Sequence, residues 1–231
     1  MYGLGIWCNK KVHFSHTFVH SFQFNHGTET EAVINMDADG NCLVSATRDI
    51  PAGSPIRVSY GTPWNPSALF ATYGFLDESS PATFCKLMSI RETPELKELG
   101  MEHSRMLFYK ETGDIAPEVW DVVLYDFLQT QNLEHAQAFL NAHRQGDSNT
   151  QQAIHEQYRA DTCRILKKHV DDFLLNLDDL AQKGMGKDIA QHPRLPLIMR
   201  HNEFVRETFL RVKARLDPMY EQVAQQQNVF Q

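Results

Sequence analysis

The chain has 231 residues, a length compatible with one large domain or two smaller ones, and 42% of them are hydrophobic. Its 22 Lys and Arg against 29 Asp and Glu give a net charge of −7, which does not favour nucleic-acid binding. No stretch reaches about 18 apolar residues, so no membrane-spanning helix is expected. Cys8, Cys42, Cys85 and Cys163 lie far apart, which argues against a disulfide framework and predicts a soluble intracellular protein.

The first 88 or so residues alternate short β-rich runs with turn residues. Two such runs, 32–36 and 42–46, flank the segment 37–41. That segment is rich in Asp, Gly and Asn, which tolerate positive φ, so it predicts the turn of a β-hairpin. Further on, residues 56–60 alternate apolar and polar positions, which is typical of a half-buried strand.

A short helix is predicted after these strands. Asn65 is a candidate N-cap, and Pro66 follows it at the first helical position, where its missing N–H costs nothing. We expect the helix to continue over residues 67–73 and to end at Gly74.

From about residue 92 onward, helix-forming residues dominate and β-branched runs are scarce. Apolar residues at helical spacing predict four helices, which cover residues 115–128, 133–142, 151–182 and 197–224. Thr150 is the candidate cap of the third helix, and the segments 184–186 and 192–196 separate it from the fourth. The predicted fold class is therefore α+β, with a small β-rich part followed by an α-helical bundle.

Three motifs in the β-rich part occur in a specific order. The first is Phe24-Asn-His-Gly, the second spans residues 49–61 and ends in Tyr60-Gly, and the third spans 65–75 and ends in Tyr73-Gly-Phe. Together they resemble the end of the SET domain in the Rubisco large-subunit methyltransferase group. The helical part is similar in position and character to the substrate-binding domain of that group.

The resemblance implies three segments: an atypical N-terminal stretch (1–23), the C-terminal part of a SET domain (24–88) and an α-helical substrate-binding domain (89–231). It also implies transfer of a methyl group from S-adenosylmethionine to a lysine amine of a protein substrate. Membranes and nucleic acids are not expected as partners.

The resemblance assigns roles to five residues. Tyr60 would be the catalytic residue, with its hydroxyl at the methyl-transfer site, and would also contact the cofactor. Asn25 and His26 would bind S-adenosylmethionine and hold the crossing of the fold. Tyr73 and Phe75 would contact the substrate, and the Tyr73 ring would help to wall the lysine channel, where an aromatic face favours a methylammonium product.

Three alternatives stay open at this stage. No residues before Phe24 match the upstream half of the family's SET domain, so the chain could be a catalytically incomplete fragment that binds a protein partner. A protein-histidine methyltransferase of the same family is a second alternative, against which Tyr73 argues. A plain helical scaffold without SET ancestry is the third, and it predicts no β-sheet before residue 88.

A metal site is not expected. The N-terminal ligand-type residues match no closed zinc pattern in their spacing; they are Cys8, His13, His16, His20 and His26. Asp37, Asp39 and Asn41 alternate as in a calcium loop, but the downstream Glu of an EF-hand is missing. A hairpin turn explains these three residues better.

Overall fold

The computed structural model describes residues 12–14, 24–27, 29–61 and 64–229, and the chain forms two compact units, residues 1–63 and 64–231. The protein is α+β, as predicted. The described elements are β1 (Val12–Phe14), β2 (Asn25–His26), β3 (Ala32–Met36), β4 (Cys42–Ala46), β5 (Arg57–Val58), α1 (Pro66–Tyr73), β6 (Ala82–Phe84), α2 (Pro94–Glu98), β7 (Leu107–Tyr109), α3 (Pro117–Gln131), α4 (Leu133–Gln145), α5 (Ser148–Gln157), α6 (Arg159–Gly184) and α7 (Leu195–Val229).

The first unit contains an antiparallel sheet with the strand order β1-β4-β3. The predicted hairpin is confirmed, since β3 pairs with β4 from Ala32 opposite Ala46 to Met36 opposite Cys42. The Asp37 carboxylate closes the turn, because its Oδ1 accepts hydrogen bonds from the backbone N–H of Asp39 and Asn41. A sheet before residue 88 removes the plain helical scaffold as an alternative.

The strand predicted over residues 56–60 is shorter in the structure, where β5 covers Arg57 and Val58 alone. It pairs in parallel with β2. The backbone N–H of Tyr60 donates to Nδ1 of His26 rather than to a neighbouring strand, so the ladder does not continue to Tyr60.

The second unit begins with α1, and the helix prediction is confirmed at both ends. Asn65 caps the helix, with its Oδ1 accepting from the backbone N–H of Ser67 at 3.0 Å. Gly74 ends it in the left-handed conformation with φ of 73°. A residue with a Cβ would be strained at that position, which explains why the helix ends at glycine.

Two strands and a short helix were not predicted: β6 at the end of the β-rich part, and α2 and β7 in the helical part. Strands β6 and β7 pair antiparallel, with Thr83 opposite Phe108. Between them lies α2, which is capped by the Thr93 hydroxyl accepting from the backbone N–H of Leu96. Each of the two strands has three residues, too few for an alternating pattern to be recognised in the sequence.

Helices α3 and α4 lie where they were predicted, but the single long helix expected over 151–182 is wrong. It is divided at Tyr158 into α5 and α6, and α5 is capped by Asp147 rather than by Thr150. The Tyr158 hydroxyl bonds to Nδ1 of His135 at 2.8 Å and accepts from Asn132 at 3.1 Å. These contacts with the start of α4 hold Tyr158 out of regular helical geometry.

Helix α7 starts earlier than predicted, because Pro196 lies in its first turn, where proline is tolerated. It packs along α6, and the two helices share an aromatic cluster. Phe209 is fully buried, its ring stacks on Phe173 with centroids 4.3 Å apart, and it meets Phe108 of β7 edge-on at 5.0 Å. Within the described residues, no helix is both long and apolar enough to cross a membrane.

A ring of four charged side chains joins α6 to α7. Lys167 lies 2.9 Å from Asp171 on its own helix and 2.7 Å from Asp217 on α7. Lys213 contacts the same two aspartates from α7, so positive and negative charges alternate around the ring. The hydrogen bonds that Lys167 donates to Asp217 and Asp171 raise the pKa of Lys167.

Within the described part of the chain, the buried hydrophobic side chains lie mainly in the second unit, along α3, α4, α6, α7 and the β6–β7 pair. In the described part of the first unit, Ala32 and Val58 are the buried hydrophobic residues. Val33, Ile34 and Met36 of β3 are exposed.

Candidate functional site

The segment 24–27 runs beside β5. Asn25 is opposite Arg57 and His26 is opposite Val58, and the backbone N–H of Gly27 extends the pairing with a 3.2 Å hydrogen bond to the Val58 carbonyl. Because parallel strands need a crossover connection, the β3–β4 hairpin lies between the two strands in the sequence. Two of the three sequence motifs are therefore neighbours in space.

Tyr60 completes this group, which we call the tyrosine cluster (Phe24, Asn25, His26 and Tyr60). Its hydroxyl donates a hydrogen bond to the Phe24 carbonyl, and its ring centroid lies 5.5 Å from that of His26. Nδ1 of His26 accepts from the Tyr60 backbone at 3.3 Å, so the proton of the neutral imidazole lies on Nε2. The three residues that the resemblance assigned to the cofactor and to catalysis thus lie together.

The Arg57 side chain packs closely on Gly27. A Cβ at this position would lie 2.9 Å from Cβ and Cδ of Arg57, so a larger residue would force the Arg57 side chain to shift. At Gly61, by contrast, no described atom lies within 4 Å of the place that its Cβ would take.

Glu31 fixes β5 and was not recognised from the sequence. Its carboxylate is buried and accepts 2.8 Å hydrogen bonds from both Arg57 and Arg48, together with a 2.9 Å bond from the Arg57 backbone. Hydrogen bonds from Arg57, with a further contribution from Arg48, lower the pKa of Glu31 to about 2. The carboxylate therefore anchors the strand that leads to Tyr60.

Tyr73 and Phe75 belong to the second unit, where they flank the helix-ending Gly74. Their rings stack with centroids 6.1 Å apart, at an angle of 29°. Tyr73 is 53% exposed, so it is not a core aromatic residue. Both rings lie at the end of α1, so the position of that helix determines where the rings lie.

Helix α1 is attached to the beginning of α7 through His201, a second residue that sequence reasoning missed. Nε2 of His201 is 3.0 Å from the Ser67 hydroxyl, and its ring stacks on Phe70 at 4.4 Å. Neither a motif nor a local spacing signals this role, since His201 sits in an ordinary helical pattern.

The metal-site alternatives gain no support. Cys8, His16 and His20 lie outside the described residues. Among the residues that are described, no group of three or more His, Cys, Asp or Glu side chains could hold a metal ion. The Asp37 carboxylate, which suggested a calcium loop, also accepts from the Asn41 side chain and closes the hairpin turn.

The sequence matches no protein-family model, and no curated protein matches it either.

Proposed function

We propose that the chain is a SET-type protein-lysine N-methyltransferase that uses S-adenosylmethionine. The observation that supports this function best is the tyrosine cluster, in which Tyr60 contacts His26, the neighbour of Asn25 in β2, although the hairpin separates Tyr60 from both in sequence. In the family that the motifs resemble, these positions surround the methyl-transfer site. A protein that carries an accessible lysine is the proposed substrate.

The chemistry of the cluster suits this cofactor. S-Adenosylmethionine supplies a methyl group on a cationic sulfur, which becomes a neutral thioether after transfer. The Phe24 carbonyl and the Tyr60 hydroxyl place two electron-rich oxygens next to each other, and such oxygens favour a neighbouring positive charge. Asn25 is exposed at the edge of β2, where its amide can both donate to a polar ligand and accept from it.

Tyr60 would orient the substrate amine. The Tyr60 hydroxyl donates to the Phe24 carbonyl, and a phenol oxygen can also accept a hydrogen bond from an amine N–H. A lysine side chain has an ordinary pKa of about 10.4, so it must lose its proton before it can react. A narrow, apolar approach that excludes water favours the neutral amine. By the family resemblance, the exposed Tyr73 ring and Phe75 contact the substrate.

Titration calorimetry with S-adenosylmethionine tests the proposal directly on the 231-residue chain. We expect a dissociation constant in the micromolar range, on the order of −8 kcal/mol. Asn25→Ala should weaken binding about tenfold or more, which is about 1.4 kcal/mol. The matched control is Asn35→Ala, an exposed asparagine of β3, which should bind like the wild type. Absence of S-adenosylmethionine binding by a chain that unfolds cooperatively would refute the proposal that the chain is a methyltransferase.

A partner-binding module without catalysis is the second candidate. It is favoured by the distribution of the core, because, among the residues that the structure describes, the buried hydrophobic side chains lie mainly in residues 64–229. Incubating the chain with tritiated-methyl S-adenosylmethionine and a library of lysine peptides separates the two. Label transfer that is lost in Tyr60→Phe, but kept in the control Tyr220→Phe, would exclude the binding module.

A further inference from the structure

One imidazole connects α7 to two residues on the same face of α1. Ser67 and Phe70 are three positions apart, so their side chains are neighbours on the helix surface. His201 meets both of them, with Nε2 3.0 Å from the Ser67 hydroxyl and its ring stacked on Phe70 with 19° between the planes. The contact combines a hydrogen bond with a stacked pair.

The residue before His201 holds the other side of the Tyr73–Phe75 segment. Nε of Arg200 donates to Glu78 at 3.0 Å, three residues beyond Phe75. Two successive residues of α7 therefore attach the chain both before and after the stacked pair of rings. The Arg200–Glu78 pair is exposed and contributes little by itself, so His201 is the stronger of the two attachments.

We propose that His201 is a positioning residue for Tyr73 and Phe75, which holds α1 on α7 while its ring is neutral and weakens that attachment when the ring is protonated. The inference rests on the proposed function in one respect, namely that Tyr73 and Phe75 contact the substrate lysine. The attachment itself is a property of the second unit and can be measured without any activity.

The electrostatic surroundings of the ring set the direction of the effect. From α1 it faces Ser67 and Phe70, which are uncharged. On α7 its charged neighbours in sequence are Arg200, which is paired with Glu78, and Glu203. Burial lowers the pKa of His201, and a hydrogen bond with Asn202 opposes this only in part.

The sign of the pH dependence follows from this lowered pKa. The unfolded chain takes up the histidine proton near its ordinary pKa of 6.5, before the folded protein does. The neutral ring therefore contributes stability above that pH. The contribution is lost as the pH falls below about 6.5, and protonation of the folded protein at still lower pH loosens α1.

Hydrogen exchange of the α1 amides, measured by NMR and corrected for intrinsic rates, tests the attachment. Between about pH 7 and pH 5, protection in α1 of the wild type should fall, because burial disfavours the charged imidazolium relative to the neutral ring in this contact. His201→Gln keeps a neutral partner for Ser67, so its protection should not change with pH. His192→Gln, an exposed histidine before α7, is the matched control and should behave like the wild type.

Unchanged protection of the α3–α6 amides shows that each variant is folded. Protection of α1 that responds to pH equally in His201→Gln and in the wild type would overturn the inference, whatever the result with S-adenosylmethionine. If calorimetry shows no cofactor binding while α1 responds as expected, the proposed function fails and the attachment stands. In an active enzyme, His201→Ala should raise KM for the lysine peptide more than it lowers kcat.

Discussion

Replacing Phe209 by alanine removes the ring at the centre of the aromatic cluster between α6, α7 and β7. The side chain is fully buried, its ring stacks on Phe173, and it meets Phe108 edge-on. A buried Phe→Ala change costs about 3–5 kcal/mol, because the transfer energy of the ring is lost and a cavity remains. Each of the two aromatic pairs contributes about 0.5–1.5 kcal/mol of this total.

We therefore expect Phe209→Ala to lower the free energy of unfolding by about 4 kcal/mol. Phe209→Leu fills most of the space but removes both aromatic pairs, so it should cost about 1–3 kcal/mol. For a domain of this size the first change corresponds to a melting temperature about 8–16 °C lower. Urea unfolding followed by the helical circular-dichroism signal measures both variants.

The adjacent residue provides the control for this experiment. Leu210 is 41% exposed, and Leu210→Ala should change the free energy of unfolding by about 0.5 kcal/mol or less. A cost below about 1 kcal/mol for Phe209→Ala, or equal costs for the two alanine variants, would show that the α6–α7 contact is not centred on Phe209.

Two further predictions concern a carboxylate and a pair of glycines. Because the pKa of Glu31 is lowered from 4.5 to about 2, its stabilisation is complete above about pH 4.5 and disappears as the pH falls to about 2. Glu31→Gln should therefore remove part of the acid dependence of the β3–β5 amide signals in an NMR pH titration. Gly113 and Gly146 have nearly the same φ, +70° and +68°, but a Cβ at Gly113 would lie 2.5 Å from the Arg211 carbonyl oxygen. Thermal unfolding should show a loss of about 1–2 kcal/mol for Gly146→Ala and a further 1–3 kcal/mol or so for Gly113→Ala, and equal losses would contradict the clash.

The elements that the sequence predicted well are those whose determinants lie within about ten residues. Asn65 supplies the cap of α1, Pro66 its first residue and Gly74 its end, and each acts on backbone groups a few positions away. The β3–β4 hairpin is similar, since Asp37 stabilises its own turn. Such signals do not depend on the rest of the fold.

The break at Tyr158 shows why the helical part was predicted less well. Apolar spacing continues from α5 into α6, so the pattern favours one helix. The hydroxyl partners of Tyr158 belong to the start of α4, more than 20 residues earlier in the chain. A contact of this kind overrides local helix preference and leaves no signal in the periodicity.

The candidate site divides in the same way. Asn25, His26 and Tyr60 were found because they belong to recognisable motifs, and the structure brings them together. Glu31 and His201 belong to none, and their partners are 26 and 134 positions away. Their positions in the fold, rather than their neighbours in sequence, give them a role.

The ring of charges between α6 and α7 has a consequence for how the two helices align during folding. In the native pairing Lys167 faces Asp217, while Asp171 faces Lys213. The helices run in opposite directions, so a slip by one turn would set Lys167 against Lys213, or Asp171 against Asp217. Repulsion then replaces attraction. The four side chains thus favour the same longitudinal alignment of two long amphipathic helices as the stacked Phe173–Phe209 pair does.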